Sequence, residues 1–505
     1  MSKMPFAGLH RNIGMKKGII RTIFLISAIW ISSGYLYAEE HIDLTIPDVI
    51  EIALSNNLGL KSERISPDIQ RENVETARSV FDPNVTAGGT ISRLETQEDP
   101  SDAESNEKSL QVSIGKKLSR GMDVSVNLTV SDDSHKNSAG VDSDGRATLT
   151  TLVITQPLMK NKGETVNRRG IIIAENNYKK SDLGFKQAVI NMVAETKNRY
   201  WQLYSAIESL TVQEKSLHLA RQFMSDVEEK VRIGSAAKLD ILQAKAEVAS
   251  REENVIVAEN KVMNSQDSLL NYVYGSLAKT GRVICRQKPS FEALQVDEEE
   301  LVRQSMSART DYLSAQYDIA SVETDVAYTE NQTKPQLDLV GTLGYNNGSS
   351  DAVNPSQVST EYKDYYTAAV TLNLKFPWGF RKDVANYQAA RLSLKQSRIR
   401  LEEIESGIRL EIRTAIRNVR SAHKRYQAAS VSGRLAEEKL AAEQEKYENG
   451  LSTGYDVLLY QRDLTDAGVR LVDATIAYQQ AIVALNKAAG ITLEQNKIEI
   501  KDIVQ

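Results

Sequence analysis

A chain of 505 residues with 26% charged side chains, 6% aromatics and a net charge of −5 lacks the basic excess that nucleic-acid binding requires, so no nucleic-acid partner is expected. Its single cysteine, Cys285, excludes a disulfide framework and any multi-cysteine metal site. The histidines, His10, His41, His135, His218 and His423, are too scattered to chelate an ion together, and no metal or cofactor is expected.

The N-terminus reads as an export signal. Lys16, Lys17 and Arg21 flank the start of an apolar run from Ile19 to Ile31, and small residues follow as far as Ala38. That order predicts a secretory signal peptide cleaved after Ala38, with an uncleaved anchor as the alternative. Met15 is an alternative start to Met1. No later apolar stretch is long enough to cross a bilayer as a helix, so any further membrane contact falls to strands.

From Leu44 to Ser79 apolar residues recur at helical spacing (Ile46, Val49, Ile50, Ala53, Leu54), with a break at Asn56-Asn57-Leu58-Gly59. Pro67 is expected to start a second piece or to kink it. After Phe81-Asp82-Pro83 the period changes to 2. Met122, Val124, Val126, Leu128 and Val130 alternate with polar residues, as do Leu110, Val112 and Ile114. Val85 to Ile91 and Ala147 to Thr155 repeat the pattern more weakly. Apolar residues on one face and hydroxyls or amides on the other suit strands of a membrane barrel; a soluble β-sandwich is the alternative. Ser119-Arg120-Gly121 reads as a tight turn. Leu94–Lys108 and Asp132–Gly145 read as long polar loops, and Asp132, Asp133, Asp142 and Asp144 as a solvated acidic stretch with calcium binding left open.

Gln156-Pro157 closes the strands. One helix is then expected from Glu164 to Arg232, on the order of 100 Å long, which must pack lengthwise against others. A turn at Gly234 returns it as a second helix with a seam through Leu239, Leu242, Ala246, Ala249, Ile256, Met263 and Leu270. Tyr274 to Val296 reads as irregular. The pattern then restarts: Lys334-Pro335 answers Asp82-Pro83, 252 residues on, and Leu337 to Tyr345 and Tyr366 to Phe376 alternate as strands around a polar loop carrying Pro355. A long helix leads to the Gly450 turn, and the last helix carries a heptad seam through Val457, Tyr460, Leu464, Ala467, Leu471, Ala474, Tyr478, Ala481, Leu485 and Ala488. Gly450 follows Gly234, and Asp456 follows Asp240, by the same 216 residues, so the chain is a duplication with matched tips. The expected organisation is signal peptide 1–38, first repeat 39–276, connector 277–296, second repeat 297–491 and tail 492–505.

The repeat, the Phe-Asp-Pro and Gln-Pro strand borders and the Gly…Asp-Val-Leu tip resemble the TolC-like outer-membrane efflux channels from about Leu44 to Ala489. The resemblance implies an α+β membrane protein: a homotrimeric transmembrane β-barrel in outer-membrane lipid, continuous with a long periplasmic α-helical coiled-coil barrel. It implies partnership with a periplasmic adaptor (membrane fusion) protein and an inner-membrane pump of the resistance-nodulation-division or ATP-binding-cassette type, as in drug efflux or type I secretion. Asp456 then matches an acidic ring at the periplasmic gate, whose second carboxylate position is Leu459 here. Tyr447 and Asp240 match a latching pair, Ser452 stands where a basic residue often supports that latch, and Gly234 and Gly450 match the adaptor-docking tips. The family's first half has two strands where four are counted here, leaving open whether six join the barrel or one hairpin projects from it. No catalytic constellation appears, so the chain reads as a duct and not an enzyme. A secreted coiled-coil scaffold or adhesin without a pore is the rival; the cargo is not encoded.

Overall fold

The computed structural model describes residues 41–98, 101–136, 142–275, 282–291, 297–351 and 360–500. The signal segment with its cleavage position, and the loop around Pro355, lie outside these residues. The first half runs β1 (His41–Leu44), α1 (Ile46–Asn56), α2 (Leu58–Arg78), β2 (Asn84–Glu98), β3 (Ser101–Lys117), β4 (Asp123–Lys136), β5 (Asp142–Pro157), α3 (Glu164–Asn167), α4 (Arg169–Arg232) and α5 (Lys238–Tyr274). After β6 (Arg282–Cys285) come α6 (Glu298–Ala308), α7 (Thr310–Gln332), β7 (Gln336–Asp351), β8 (Thr360–Lys375), α8 (Arg381–Glu448), α9 (Gly454–Ala488) and α10 (Thr492–Gln495).

The halves match element by element. Helices α1 and α6 both have 11 residues, and each breaks into the next helix at a non-helical residue, Asn57 or Arg309. Those starts, Ile46 and Glu298, stand 252 apart, whereas the glycines that bend the chain toward the long helices, Gly163 and Gly379, stand 216 apart. The difference, 36, is the span from Ser101 to Lys136, so the first half carries one added hairpin, β3–β4.

All six long strands join one antiparallel sheet in the order β2-β3-β4-β5-β7-β8. The added hairpin thus lies within the same sheet as the other four strands. The register places Val85, Ile114, Val126, Leu152 and Leu343 in one row across the sheet. The next row, on the opposite face, reads Thr86, Ser113, Asn127, Thr151, Gly344 and Thr367, with the Ser113 hydroxyl donating to Asn127 Oδ1 at 2.5 Å. Large apolar side chains such as Val85, Ile114, Val126, Leu343 and Val370 stand exposed on the first face.

Four expectations are corrected. The segments expected as long loops are mostly ladder: β2 continues to Glu98 and β3 begins at Ser101, while β4 reaches Lys136 and β5 begins at Asp142. Polar residues extend a strand without cost when both faces meet water, so loss of alternation marked the end of the apolar face and not the end of the strand. The Tyr274–Val296 stretch expected as irregular holds a four-residue strand, β6, paired in parallel with β1, which takes in Leu44; helix begins only after Thr45, whose hydroxyl caps it. Strands so short, joined across more than 200 residues, leave no local pattern. Tyr200 ties the junction, donating to Leu44 O at 3.2 Å and accepting from Gln287 N at 3.0 Å. Pro67 lies inside α2 and starts nothing, and the long first helix is interrupted at Arg168.

Helix α4 (64 residues) and α8 (68 residues) are each about 100 Å long. Below the short α1 and α6, the layer order is α5-α4-α9-α8; above them α2 and α7 continue the lines of α5 and α9. Close approach of α4 and α9 depends on two glycines: a Cβ on Gly454 or Gly468 would stand 3.1 Å from Phe223 or Val212. Of the α9 seam, Val457, Ala467, Ala474, Tyr478, Leu485 and Ala488 are buried. Of the α5 seam, Leu270 is buried, whereas Leu239, Leu242, Ile256 and Met263 are exposed. Among the described residues no helix is long and apolar enough to cross a membrane.

Candidate functional site: the paired hairpin tips

Both tips are built by one device. Gly234 (φ 81°) and Gly450 (φ 74°) end α4 and α8 in the left-handed region, where a side chain is strained. Ser235 N donates to Lys230 O at 2.8 Å and Leu451 N to Lys446 O at 2.9 Å, which satisfies the last carbonyls. A Cβ on either glycine would meet nothing within 4 Å, so backbone conformation alone demands glycine, and the tip surface is open.

The next helices begin on matched aspartates. Asp240 Oδ2 accepts from Ala237 N at 3.0 Å, and Asp456 Oδ2 accepts from the Thr453 hydroxyl at 2.6 Å. Each carboxylate sits in the first helical turn, where the helix dipole favours it. Asp240 therefore stays within its own turn, and no hydrogen bond joins it to Tyr447 among the described residues. Its charge is felt there all the same: burial first, then Asp240 and Asp226, push the Tyr447 phenol above its ordinary value. Tyr447 instead packs on Phe223 at 5.5 Å between ring centroids and lies under the Lys230 ammonium at 3.7 Å. The same ammonium donates to Tyr447 O at 3.4 Å, so α4 and α8 are joined by a cation held over a ring. Ser452 turns back to its own hairpin, donating to Glu443, which Lys446 also approaches at 3.2 Å. The Ser452 hydrogen bond holds the Glu443 carboxyl below the usual range.

Above the tip stands a charged hub that sequence reading missed. Arg251 and Glu247 pair at 2.7 Å with side chains only 4% and 5% exposed. Arg462 of α9 reaches the same carboxylate, its Nε donating at 3.1 Å. Arg251 also donates to Ser216 of α4 and, at 2.9 Å, to Thr465 of α9, and the two hydroxyls bond at 2.8 Å. One buried network thus ties three helices from both hairpins. Burial pushes Glu247 up, but hydrogen bonds from Arg462 and Arg251 outweigh it and leave the carboxyl below its ordinary value. The signal was available: Glu247 and Arg251 form an i, i+4 pair on the face that carries Ala244 and Val248.

Between the hairpins lies a cleft of about 620 Å³ lined by Phe223, Asp226, Lys230, Tyr447 and Gln461. Gln461 is 2% exposed, and its side-chain oxygen has no partner there. The acidic stretch of the strands forms no comparable site. Asp132 pairs with Arg146 at 3.5 Å, Asp133 faces the other side of the strand, and the Asp142 side chain lies outside the described residues. Among those residues no group of three or more His, Cys, Asp or Glu side chains is placed to hold a metal ion.

Comparison with known proteins gives a consistent picture. Residues 123–273 and 301–491 match the family model described as outer membrane efflux protein. Outer membrane efflux protein BepC of Brucella suis is 20% identical over 480 residues, 94% of this chain and 91% of its own. Outer membrane protein TolC of Vibrio cholerae is 22% identical over 333 residues, 65% of this chain and 74% of its own. Among solved structures, the Campylobacter jejuni CmeC outer membrane channel superposes with a TM-score of 0.64 at 17% identity, covering 91% of this chain and 89% of that one.

Proposed function

This chain belongs to the outer membrane efflux protein family and resides in the cell outer membrane, and we propose that it is the passive exit duct of a tripartite efflux or type I secretion system. The observation that carries this reading is the pair of lateral edges. On one side β2 leads the sheet and α5 the helix layer, with exposed Leu239, Leu242, Ile256 and Met263. On the other side β8 runs into α8, whose Leu392, Ile399, Leu410 and Leu435 are exposed. An unpaired strand edge in a bilayer costs several kcal/mol per polar group, so such sheets must close. A head-to-tail contact that joins β8 and α8 of one copy to β2 and α5 of the next buries both edges together and closes into a ring.

Three copies of the six-stranded sheet make an 18-stranded barrel, and barrels of about 16–18 strands leave an aqueous channel. The apolar face meets lipid and the hydroxyl face lines the bore. A pore-free soluble scaffold would instead leave that apolar face in water. The tips form the periplasmic gate: Asp456 from each copy rings the entrance, while Lys230 over Tyr447 and the Glu247 hub hold the two hairpins of each copy together. Gly234, Gly450 and the Gln461 cleft offer the adaptor protein a surface, and the inner-membrane pump selects the cargo.

The test is single-channel recording of the purified protein in planar bilayers. Conducting trimers whose block by divalent cations weakens in Asp456→Ala support the duct with Asp456 at its constriction. Unaltered block removes Asp456 from the gate, and a non-conducting monomer removes the duct.

A further inference from the structure

Helices α4, α8 and α9 end on the same pair of backbone hydrogen bonds, and each sets a glycine in the left-handed position: Gly234, Gly450 and Gly490. Helix α10 ends on that pair too, with Lys497 N donating to Glu494 O and Ile498 N to Leu493 O, each at 3.0 Å. Its left-handed residue is not glycine but Lys497, at φ 54°. A side chain is strained in that conformation. The backbone therefore gives no reason for lysine at this position, and what the residue contributes must come from its side chain.

Lys497 stands exposed at the rim of a cavity of about 670 Å³ enclosed by α1, α4, α9 and the segment after α10. Its apolar wall is made by Ile50, Leu54, Trp201, Ile482, Val483 and Ile498. Lys197 lies in the same wall, one turn of α4 before Trp201. Neither lysine has an ion-pair or hydrogen-bond partner among the described residues, and neither does the Trp201 indole N–H. Burial holds the Lys197 ammonium below its ordinary value, as expected of a cation drawn out of water with no counter-charge. Glu51, the one carboxylate among the lining residues, is exposed and pairs with neither lysine. Two lining amides are engaged elsewhere: Gln479 donates to Ser290 O at 2.7 Å and Gln287 accepts from Ile46 N at 3.2 Å. The cavity thus combines an apolar lining with an uncompensated cation.

We propose that this cavity binds an amphiphile with one anionic head and an alkyl chain, of which a fatty carboxylate is the simplest. The head pairs with Lys197, Lys497 adds its charge at the rim, and the chain lies between α1, Trp201 and α9. A small anion would leave the apolar wall in water, and an uncharged chain would leave the Lys197 ammonium without a counter-ion. The volume falls in the range of small-molecule sites, about 300–1,000 Å³. Helices α4 and α9 are the inner pair of the α5-α4-α9-α8 layer, so the site lies away from both lateral edges and stays open when copies join there.

The experiment follows Trp201 fluorescence in the detergent-solubilised Trp378→Phe protein, titrated with chain-brominated dodecanoate, dodecanol or dodecyltrimethylammonium at one fixed detergent concentration. Bromine quenches on contact, so dodecanoate should quench Trp201 at the lowest concentration, and unbrominated dodecanoate should restore the signal where acetate does not. Lys197→Gln should weaken dodecanoate binding about tenfold, the loss of one charge-assisted contact, and leave dodecanol unchanged. Lys497→Gly should weaken it about threefold, as for a solvent-screened ion pair, while the thermal midpoint holds or rises because the backbone strain is gone. Lys186→Gln, on α4 outside the cavity, should change nothing. Equal quenching by the three amphiphiles, displacement by acetate, or dodecanoate binding that neither lysine variant weakens overturns the proposal. If Lys197→Gln fails to fold, Lys497→Gly and the competition on the unsubstituted site decide on their own.

Discussion

Removing the carboxylate at the centre of the hub isolates one buried charge. In Glu247→Gln the Arg251 guanidinium, with its side chain 4% exposed, loses its counter-charge and keeps only neutral acceptors, the amide oxygen and the hydroxyls of Ser216 and Thr465. Leaving one member of a buried pair uncompensated costs about 3–5 kcal/mol. Arg462 is different, because its side chain is 59% exposed, so Arg462→Ala should cost about 1 kcal/mol or less. Glu247→Leu/Arg251→Met replaces the pair by apolar groups and should recover most of the loss, since the desolvation of two ions disappears with them. Guanidinium unfolding of the detergent-solubilised trimer, followed by helical circular dichroism, ranks the three variants. The pH dependence has a definite sign. Glu247 is held below its ordinary value of 4.5, so the hub's contribution is complete above that value and drains away as the pH falls through the lower folded value. A loss under 1 kcal/mol in Glu247→Gln, or a double variant no better than the single one, would refute the account of the hub.

Other positions give independent checks. Burial pushes the Cys285 thiol up to about 12, so the folded protein should resist maleimide at neutral pH and react fully after denaturation. Gly450→Ala places a side chain at φ 74° with nothing to collide with, and should lower stability by about 1 kcal/mol through backbone strain alone; a larger loss would point to an unseen contact. Among the described residues the tryptophans are Trp201, 4% exposed, and Trp378, 96% exposed. Trp378 lies just below the apolar band, so brominated lipids should quench the wild-type fluorescence and spare Trp378→Phe.

Periodicity carried most of the architecture. The change from a helical to an alternating pattern at Pro83 and again at Pro335 sets the strand entries, and the 216-residue match of Gly234 with Gly450 predicts twin tips that the backbone reproduces down to the same left-handed residue. Strand ends were less legible. Past Leu94 alternation fades because neither face touches lipid, although the ladder with β3 continues through Glu98. The β1–β6 pair left no trace because four residues hold no period. At the tip, matching positions located the right turns but not the contacts. Asp240 and Asp456 cap their own helices, and the contacts between hairpins come from Lys230, Phe223 and the Glu247 hub. Such contacts depend on how helices distant in sequence are rotated about their axes, which no single-helix pattern specifies.

The most direct measurement is an electron cryomicroscopy map of the purified protein in lipid nanodiscs. The map should show three copies around an axis, β8 of each hydrogen-bonded to β2 of the next, and 18 strands enclosing an open bore above a continuous ring of helices. A single copy with both sheet edges unpaired, or a ring from which β3 and β4 hang outside, would contradict it.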